Sequence, residues 1–186
     1  MELFNGQDCR DYIVEQTRRM KIEIENMEDA NISSCDIEEW ANYLSEKYYI
    51  PPIILFEDNI NHSIAKTTVK TPNPFANRLP FEKEYFEIEG VKITFEVPFD
   101  GESQLLYLRP SSRILRLFNV ENLKIPHGDN CGSIFLSFKY TNQELQNHSE
   151  DMLNYVRKQF ENEFGSYRTM IGNINYYAGK VAIGGL

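Results

Sequence analysis

The densest group of unusual residues in this chain of 186 residues follows a predicted strand, where positions 97–112 read VPFDGESQLLYLRPSS. Arg109 stands between Leu108 and Pro110, and these apolar neighbours predict partial burial of its guanidinium. A buried guanidinium needs an anionic partner, because its charge is costly to remove from water. Asp100 or Glu102 is the internal candidate, and an external anionic ligand is the alternative. Arg109, Asp100 and Glu102 are therefore the candidate ligand-binding residues.

Residue patterns that support other chemistry are missing. A nuclease of the PD-(D/E)xK type needs a carboxylate and a lysine two residues apart on a strand, and no Glu-x-Lys occurs in the sequence. Gly-rich phosphate loops and a Gly-x-Ser-x-Gly nucleophile elbow are absent as well. A metal-dependent hydrolase that uses Asp100 and Glu102 is the remaining enzymatic hypothesis. No catalytic residue, metal site or cofactor is predicted.

Composition restricts the class of partner and the compartment. The chain has 19 basic and 28 acidic residues, a net charge of −9 that repels nucleic acid and anionic lipid. No apolar run approaches the ~20 residues that span a bilayer, and the N-terminus lacks the basic and apolar regions of a signal peptide. The three cysteines are widely spaced, which is typical of a reducing compartment. We therefore expect a cytoplasmic protein without nucleic-acid or membrane partners.

Two amphipathic helices are predicted at the N-terminus, over residues 8–30 and 34–49. Apolar residues of the first recur at alternating steps of four and three, which places them on one helical stripe. Ser33 or Ser34 is the expected N-cap of the second, which must end before the Pro-Pro pair that follows it. Trp40 lies on the apolar face of the second helix and is predicted to be in the core.

A mostly antiparallel sheet is predicted over residues 52–140, because no helix-length crossover lies between its later strands. Residues 85–88 and 91–97 flank Glu89-Gly90 and are predicted to form a hairpin, and apolar and polar residues alternate cleanly in its second strand. The Pro-rich stretch 66–80 is predicted to be a loop. The candidate strands are residues 53–56, 85–88, 91–97, 105–108, 114–120 and 133–140.

The C-terminal segment has the strongest periodicity, with apolar residues three and four apart from Leu153 to Val181. A helix of about 35 residues would be about 50 Å long, longer than a domain of this size covers. The surplus stripe needs a partner, either another copy of the chain or more polypeptide, and we expect a homodimer through this helix. We divide the chain into an α+β domain, 1–140, and a long helix for assembly within 141–186. The predicted self-association residues are Val156, Phe160, Phe164, Tyr167, Ile171, Ile174 and Ala178.

The order of these elements, together with one motif, resembles the N-terminal module of a family of uncharacterised bacterial proteins. Members of that family can carry a C-terminal effector domain such as a TIR or restriction-endonuclease-like domain. The resemblance implies a sensing, scaffolding or dimerising role, with antiviral defence as one setting, and places any effector activity beyond Leu186. The matching residues are Val97, Pro98, Phe99, Gly101, Glu102, Leu105, Arg109, Pro110 and Ser111.

The sequence thus predicts an α+β fold with a sheet of about five strands, two N-terminal helices and a long C-terminal helix. The first functional hypothesis is a non-enzymatic sensing or scaffolding module that self-associates within a larger bacterial protein. The alternative is a sensor of a small anionic ligand that uses Arg109.

Overall fold

The fold is described from a computed structural model, which covers residues 3–26, 36–74, 83–111, 120–128, 130–148 and 151–183. Within these ranges the predicted α+β class is confirmed: two N-terminal helices, a five-stranded antiparallel sheet and a long C-terminal helix. No helix among these residues is long and apolar enough to cross a membrane.

The N-terminal helices begin at aspartates. In α1 (Cys9–Glu25) the Asp8 side chain accepts a hydrogen bond from the backbone N–H of Arg10, 3.0 Å away. In α2 (Ile37–Tyr48) Asp36 caps the helix in the same way. An aspartate at this position satisfies an otherwise unpaired N–H and complements the helix dipole. The predicted caps Ser33 and Ser34 lie outside the described residues.

A polar contact joins α2 to α1. Lys47 Nζ lies 2.6 Å from a Glu23 carboxylate oxygen, and the Tyr48 hydroxyl donates to the other oxygen at 2.5 Å. These hydrogen bonds lower the pKa of Glu23 and, through the same carboxylate, raise the pKa of Lys47. Trp40 is only partly buried and stacks on Tyr43 with ring centroids 5.1 Å apart. It therefore lies at the edge of the fold, whereas the sequence predicted it in the core.

The sheet is built around one long strand. The strands are β1 (Ile54–Leu55), β2 (Asn61–Pro72), β3 (Tyr85–Asp100), β4 (Val120–Lys124) and β5 (Gly132–Thr141), and all pairings are antiparallel. One edge of β3 pairs with β5, which in turn pairs with β4. The other edge of β3 pairs with β1 at one end and with β2 along most of its length.

The predicted hairpin at Gly90 is wrong, because β3 runs through this residue without turning. Gly90 pairs with Thr67 of β2 on one side and with Thr141 of β5 on the other. A Cβ atom at Gly90 would lie 2.3 Å from the carbonyl oxygen of Tyr140. Glycine is therefore required for close backbone approach and not for a turn.

Other boundaries also differ from the sequence prediction. Residues 66–72, predicted as loop, belong to β2, and residues 105–108 lie mostly in a 3₁₀ helix, Ser103–Tyr107. The strand predicted over 53–56 is reduced to the two residues of β1. The segment 114–119 lies outside the described residues, while the strand predicted over 133–140 is confirmed as β5.

The C-terminal helix completes the core. A short helix, α3 (Asn142–Asn147), begins in a capping box formed by Thr141 and Glu144, and α4 (Met152–Ile183) follows it. On the inner face of the sheet the Phe95 ring of β3 stacks on Phe160 of α4, with centroids 4.2 Å apart. Most of the apolar stripe of α4 forms one hydrophobic cluster with Val97 and Phe99 of β3, Ile134 and Leu136 of β5, and Cys9 and Ile13 of α1.

The prediction that the α4 stripe is left over for a second copy is therefore wrong in its premise. All seven predicted self-association residues are buried within the chain, six of them in this main cluster. Val156, the seventh, packs with Ile93 and Tyr140 in a second cluster. The helix lies against the sheet and α1, so the chain itself covers the stripe. The domain boundary predicted at residue 140 consequently falls inside shared hydrophobic packing.

Tyr140 of β5 is buried on the same inner face. Its hydroxyl has no hydrogen-bond partner among the described residues, and burial, more than the nearby Tyr155 and Glu144, raises its pKa to about 12. A buried polar group without a partner costs free energy, so this hydroxyl opposes stability.

Charges on the buried face of α4 should unfold the protein. In the double variant Ile171→Asp/Ile174→Asp, each carboxylate would be placed in the core without a partner, at a cost of several kcal/mol. The sum is comparable with the whole stability of a domain, about 5–15 kcal/mol. We expect loss of the cooperative thermal transition, measured by circular dichroism.

The matched control is Leu153→Asp/Tyr176→Asp, at two exposed positions of the same helix. This control should unfold cooperatively, close to the wild-type temperature. A core variant that stays folded and changes only its oligomeric mass would contradict the burial of the stripe.

Replacing Tyr140 with Phe should leave stability at neutral pH unchanged or raise it by about 1 kcal/mol, because an unpaired hydroxyl is removed. The pKa of Tyr140 rises from 10 in the unfolded chain to about 12 in the folded protein. Its ionisation therefore leaves the free energy of unfolding unchanged below pH 10 and lowers it as the pH rises from 10 towards 12. Urea unfolding across this range should show a smaller alkaline loss for Tyr140→Phe than for wild type. An equal loss in both would contradict this role of Tyr140.

Candidate interaction surface

Arg109 lies beside the start of α1. Its backbone N–H donates to Gln7 O at 2.8 Å, and its carbonyl accepts from Cys9 N–H at 2.9 Å. These bonds fix the segment after the 3₁₀ helix Ser103–Tyr107 against the N-terminus. Its guanidinium is 3.8 Å from the Asp8 carboxylate, and its side chain is 43% exposed. The anionic partner predicted for Arg109 therefore exists, but it is Asp8, and the site is less buried than its apolar neighbours indicated.

Asp100 and Glu102 serve the turn between β3 and the 3₁₀ helix. Asp100 accepts a hydrogen bond from Gly101 N–H at 2.8 Å, and Glu102 accepts one from Gln104 N–H at 3.0 Å. Gly101 has a φ of 104°, and a Cβ there would lie 2.1 Å from Pro52 O, so only glycine fits this turn. Neither carboxylate forms an ion pair with Arg109 in the structure. The three candidate residues do not form one site.

A second arginine, which the sequence did not single out, lies near this segment. Arg10 Nε donates to Ser111 Oγ at 2.7 Å, and its guanidinium lies over the Tyr177 ring of α4. The Ser111 N–H donates to Asn173 Oδ1 at 3.0 Å, also on α4. These contacts join α1, the Arg109 segment and α4. They give the Arg109 segment a structural role, because it connects α1 to α4. Binding of an external anion by Arg109 stays a prediction.

The outer face of the sheet carries a polar network. Lys92 Nζ lies 2.7 Å from a Glu121 carboxylate oxygen, while the Ser137 hydroxyl bonds to the other oxygen and to the hydroxyl of Thr94, 2.8 Å away. Hydrogen bonds from Lys92 and Ser137 lower the pKa of Glu121. The network ties β3, β4 and β5 together. Among the described residues no group of three or more His, Cys, Asp or Glu side chains could hold a metal.

Part of the sheet extends beyond the other strands as a two-stranded ribbon. β5 ends at Thr141, opposite Gly90, but β3 continues back to Tyr85 and stays paired with β2. Residues 67–72 and 85–90 therefore extend past the rest of the sheet, and we call them the β2–β3 arm. The sequence missed the arm because its β2 half was predicted as loop. Four of the five residues at 67–71, Thr-Thr-Val-Lys-Thr, are β-branched, and this enrichment is the signal that could have identified the arm.

The two faces of the arm differ. Directly opposite residues share a face, so Ile88 with Val69 and Phe86 with Thr71 form an apolar face on the outer side. Ile88 is 43% exposed and Phe86 is 47% exposed. Glu87 and its partner Lys70 lie on the opposite, charged face. Exposed apolar side chains that share a face are typical of interaction sites.

Comparison with known proteins gave no relative from which to transfer a function. The chain matches no protein-family model, no curated protein and no solved structure. The resemblance to an effector-linked bacterial module therefore stays a prediction, and the candidate site depends on geometry alone.

The structure predicts different costs for the two residues of the Arg109 ion pair. Arg109→Ala removes a half-exposed ion pair of 3.8 Å and should cost less than about 1 kcal/mol. Asp8→Ala also removes the N-cap of α1 and should cost about 1–2 kcal/mol. Urea unfolding measures both. A larger loss for Arg109→Ala than for Asp8→Ala would contradict this assignment.

Proposed function

We propose that this chain is a non-enzymatic interaction module that self-associates through the apolar face of the β2–β3 arm. One observation carries the proposal: the arm extends beyond the sheet with Phe86 and Ile88 exposed side by side on one face. The α4 stripe, which the sequence favoured, is buried and leaves the arm as the better candidate surface.

A second copy suits this face for two reasons. An apolar patch is self-complementary around a two-fold axis, so two copies can bury Phe86 and Ile88 against each other. Charge repulsion is also small there. The arm, residues 67–72 and 85–90, contains one lysine and two glutamates, a net charge of −1, although the whole chain has a net charge of −9.

The size of the arm sets the strength of the dimer. Six paired residues extend about 20 Å, and two strands are about 10 Å wide, which gives roughly 200 Å² per copy. Two copies would bury about 400 Å², well below the ~1,000 Å² of stable interfaces. We therefore propose a weak, reversible dimer with a dissociation constant of about 10 µM or higher.

Attachment of this module to a larger bacterial protein, with an effector domain downstream, would strengthen such a contact. Joining the module to another associating domain raises its effective concentration and makes a weak contact significant. This part of the proposal depends on the sequence resemblance.

Sedimentation equilibrium over a range of concentrations tests the dimer. The weight-average mass should rise from the 21.8 kDa of a monomer towards twice that value. The double variant Phe86→Ser/Ile88→Ser should stay monomeric at every concentration, because the shared apolar contact is lost. Both residues are exposed, so the variant should remain folded.

Val14→Ser is the matched control, since Val14 is exposed on α1, outside the arm. This variant should associate like the wild type. A wild-type chain that is monomeric throughout, or a double variant that associates equally well, would refute self-association through the arm.

A further inference from the structure

The free edge of β2, the edge that does not pair with β3, is a second candidate surface beside the β2–β3 arm. β2 is 12 residues long and forms its backbone ladder with β3 alone, and no described strand lies along its other edge. An unpaired edge presents a row of N–H and C=O groups that can bind a further strand. This surface is distinct from the apolar face of the arm, because it uses backbone groups at the side of the ribbon.

The side chains of this edge have one sign of charge. β2 contains Lys66 and Lys70 and no acidic residue. Both lysines are exposed, and neither forms an ion pair with a described residue. Glu87 of β3 lies directly opposite Lys70, but the two side chains form no ion pair, and Lys66 lies opposite the apolar Val91. A partner that supplies carboxylates on the free side of β2 therefore complements both lysines.

A second copy of β2 is a poor occupant of this edge. Two copies related by a two-fold axis pair antiparallel with residues of the same face opposite each other. Lys66 and Lys70 share a face, because their partners on β3 are Val91 and Glu87, four residues apart. In every such register that pairs at least nine of the 12 residues of β2, a lysine of one copy lies opposite or diagonal to a lysine of the other copy. Like charges in these positions are destabilising.

We propose that the free edge of β2 binds an extended acidic segment of a partner protein, which adds to the sheet as a further strand. Two acidic residues of that segment, four positions apart, lie opposite Lys66 and Lys70. An apolar residue two positions beyond lies opposite Ile64, which shares the face of the lysines and is 63% exposed. Main-chain hydrogen bonds supply affinity, and the alternate side chains supply specificity. The inference goes beyond the dimer and does not require it.

A labelled peptide tests the proposal by fluorescence anisotropy. The probe has two glutamates four residues apart and an isoleucine two residues beyond one of them, separated by threonine and valine. The control peptide has the same composition but its isoleucine is moved by one residue, so that the glutamates and the isoleucine cannot lie on one face of a strand. We expect the probe to bind at least about fivefold more tightly than the control.

Charge reversal in the protein is the second arm of the experiment. Lys66→Glu/Lys70→Glu should weaken binding of the acidic probe by about tenfold or more and should bind a probe with lysines in place of the glutamates. Rescue by the lysine probe shows that the variant is folded and that the charges act by direct pairing. Hydrogen exchange should show new protection in β2 when the acidic probe is bound.

Three results would overturn the inference: no binding of the acidic probe, equal binding of probe and control, or unchanged binding after charge reversal. The experiment should use the Phe86→Ser/Ile88→Ser variant as well as the wild type. Probe binding by this variant would support the strand-addition site even if the dimer fails. A dimer that ignores the probe would leave the proposed function intact and refute only the acidic partner.

Discussion

The packing of α4 on the inner face of the sheet is the constraint on which the other features depend. Phe160 and Phe164 stack on each other, and Phe160 also stacks on Phe95 of β3. Tyr167 and Ile174 extend the same stripe and are almost fully buried. Each such side chain contributes roughly 1.5–3 kcal/mol. Because the helix is used in this way, it cannot present the same residues to another molecule without unfolding.

The arm follows from where the strands end. At Thr141 the chain leaves β5 and begins α3 in a capping box, so nothing described continues alongside β3 beyond Gly90. β2 and β3 still satisfy one another's backbone groups there, and no described element packs on either face of the ribbon. An apolar face and an unpaired, lysine-bearing edge are thus consequences of a length mismatch between β3 and β5.

Local patterns in the sequence identified the parts of the fold that depend on local interactions. The helical periodicities and the alternation of β5 predicted the type of these elements correctly, because amphipathic spacing is a local property of the sequence. Gly90 and Arg109 were misinterpreted because their roles depend on distant residues: the carbonyl of Tyr140 requires a glycine, and Asp8 pairs with the arginine. The sequence showed that the α4 stripe is apolar, but what covers it is a tertiary property.

Native-state hydrogen exchange of the wild-type chain, resolved by peptide, tests the central claim most directly. We expect residues 160–174 of α4 to exchange slowest, through global unfolding, because they lie in the main core. Residues 67–72 and 85–89 of the arm should exchange faster than residues 91–99 of the same β3 strand, at all concentrations where the chain is monomeric. Fast exchange throughout α4, with protection that appears only as the chain associates, would contradict burial of the α4 stripe within one chain.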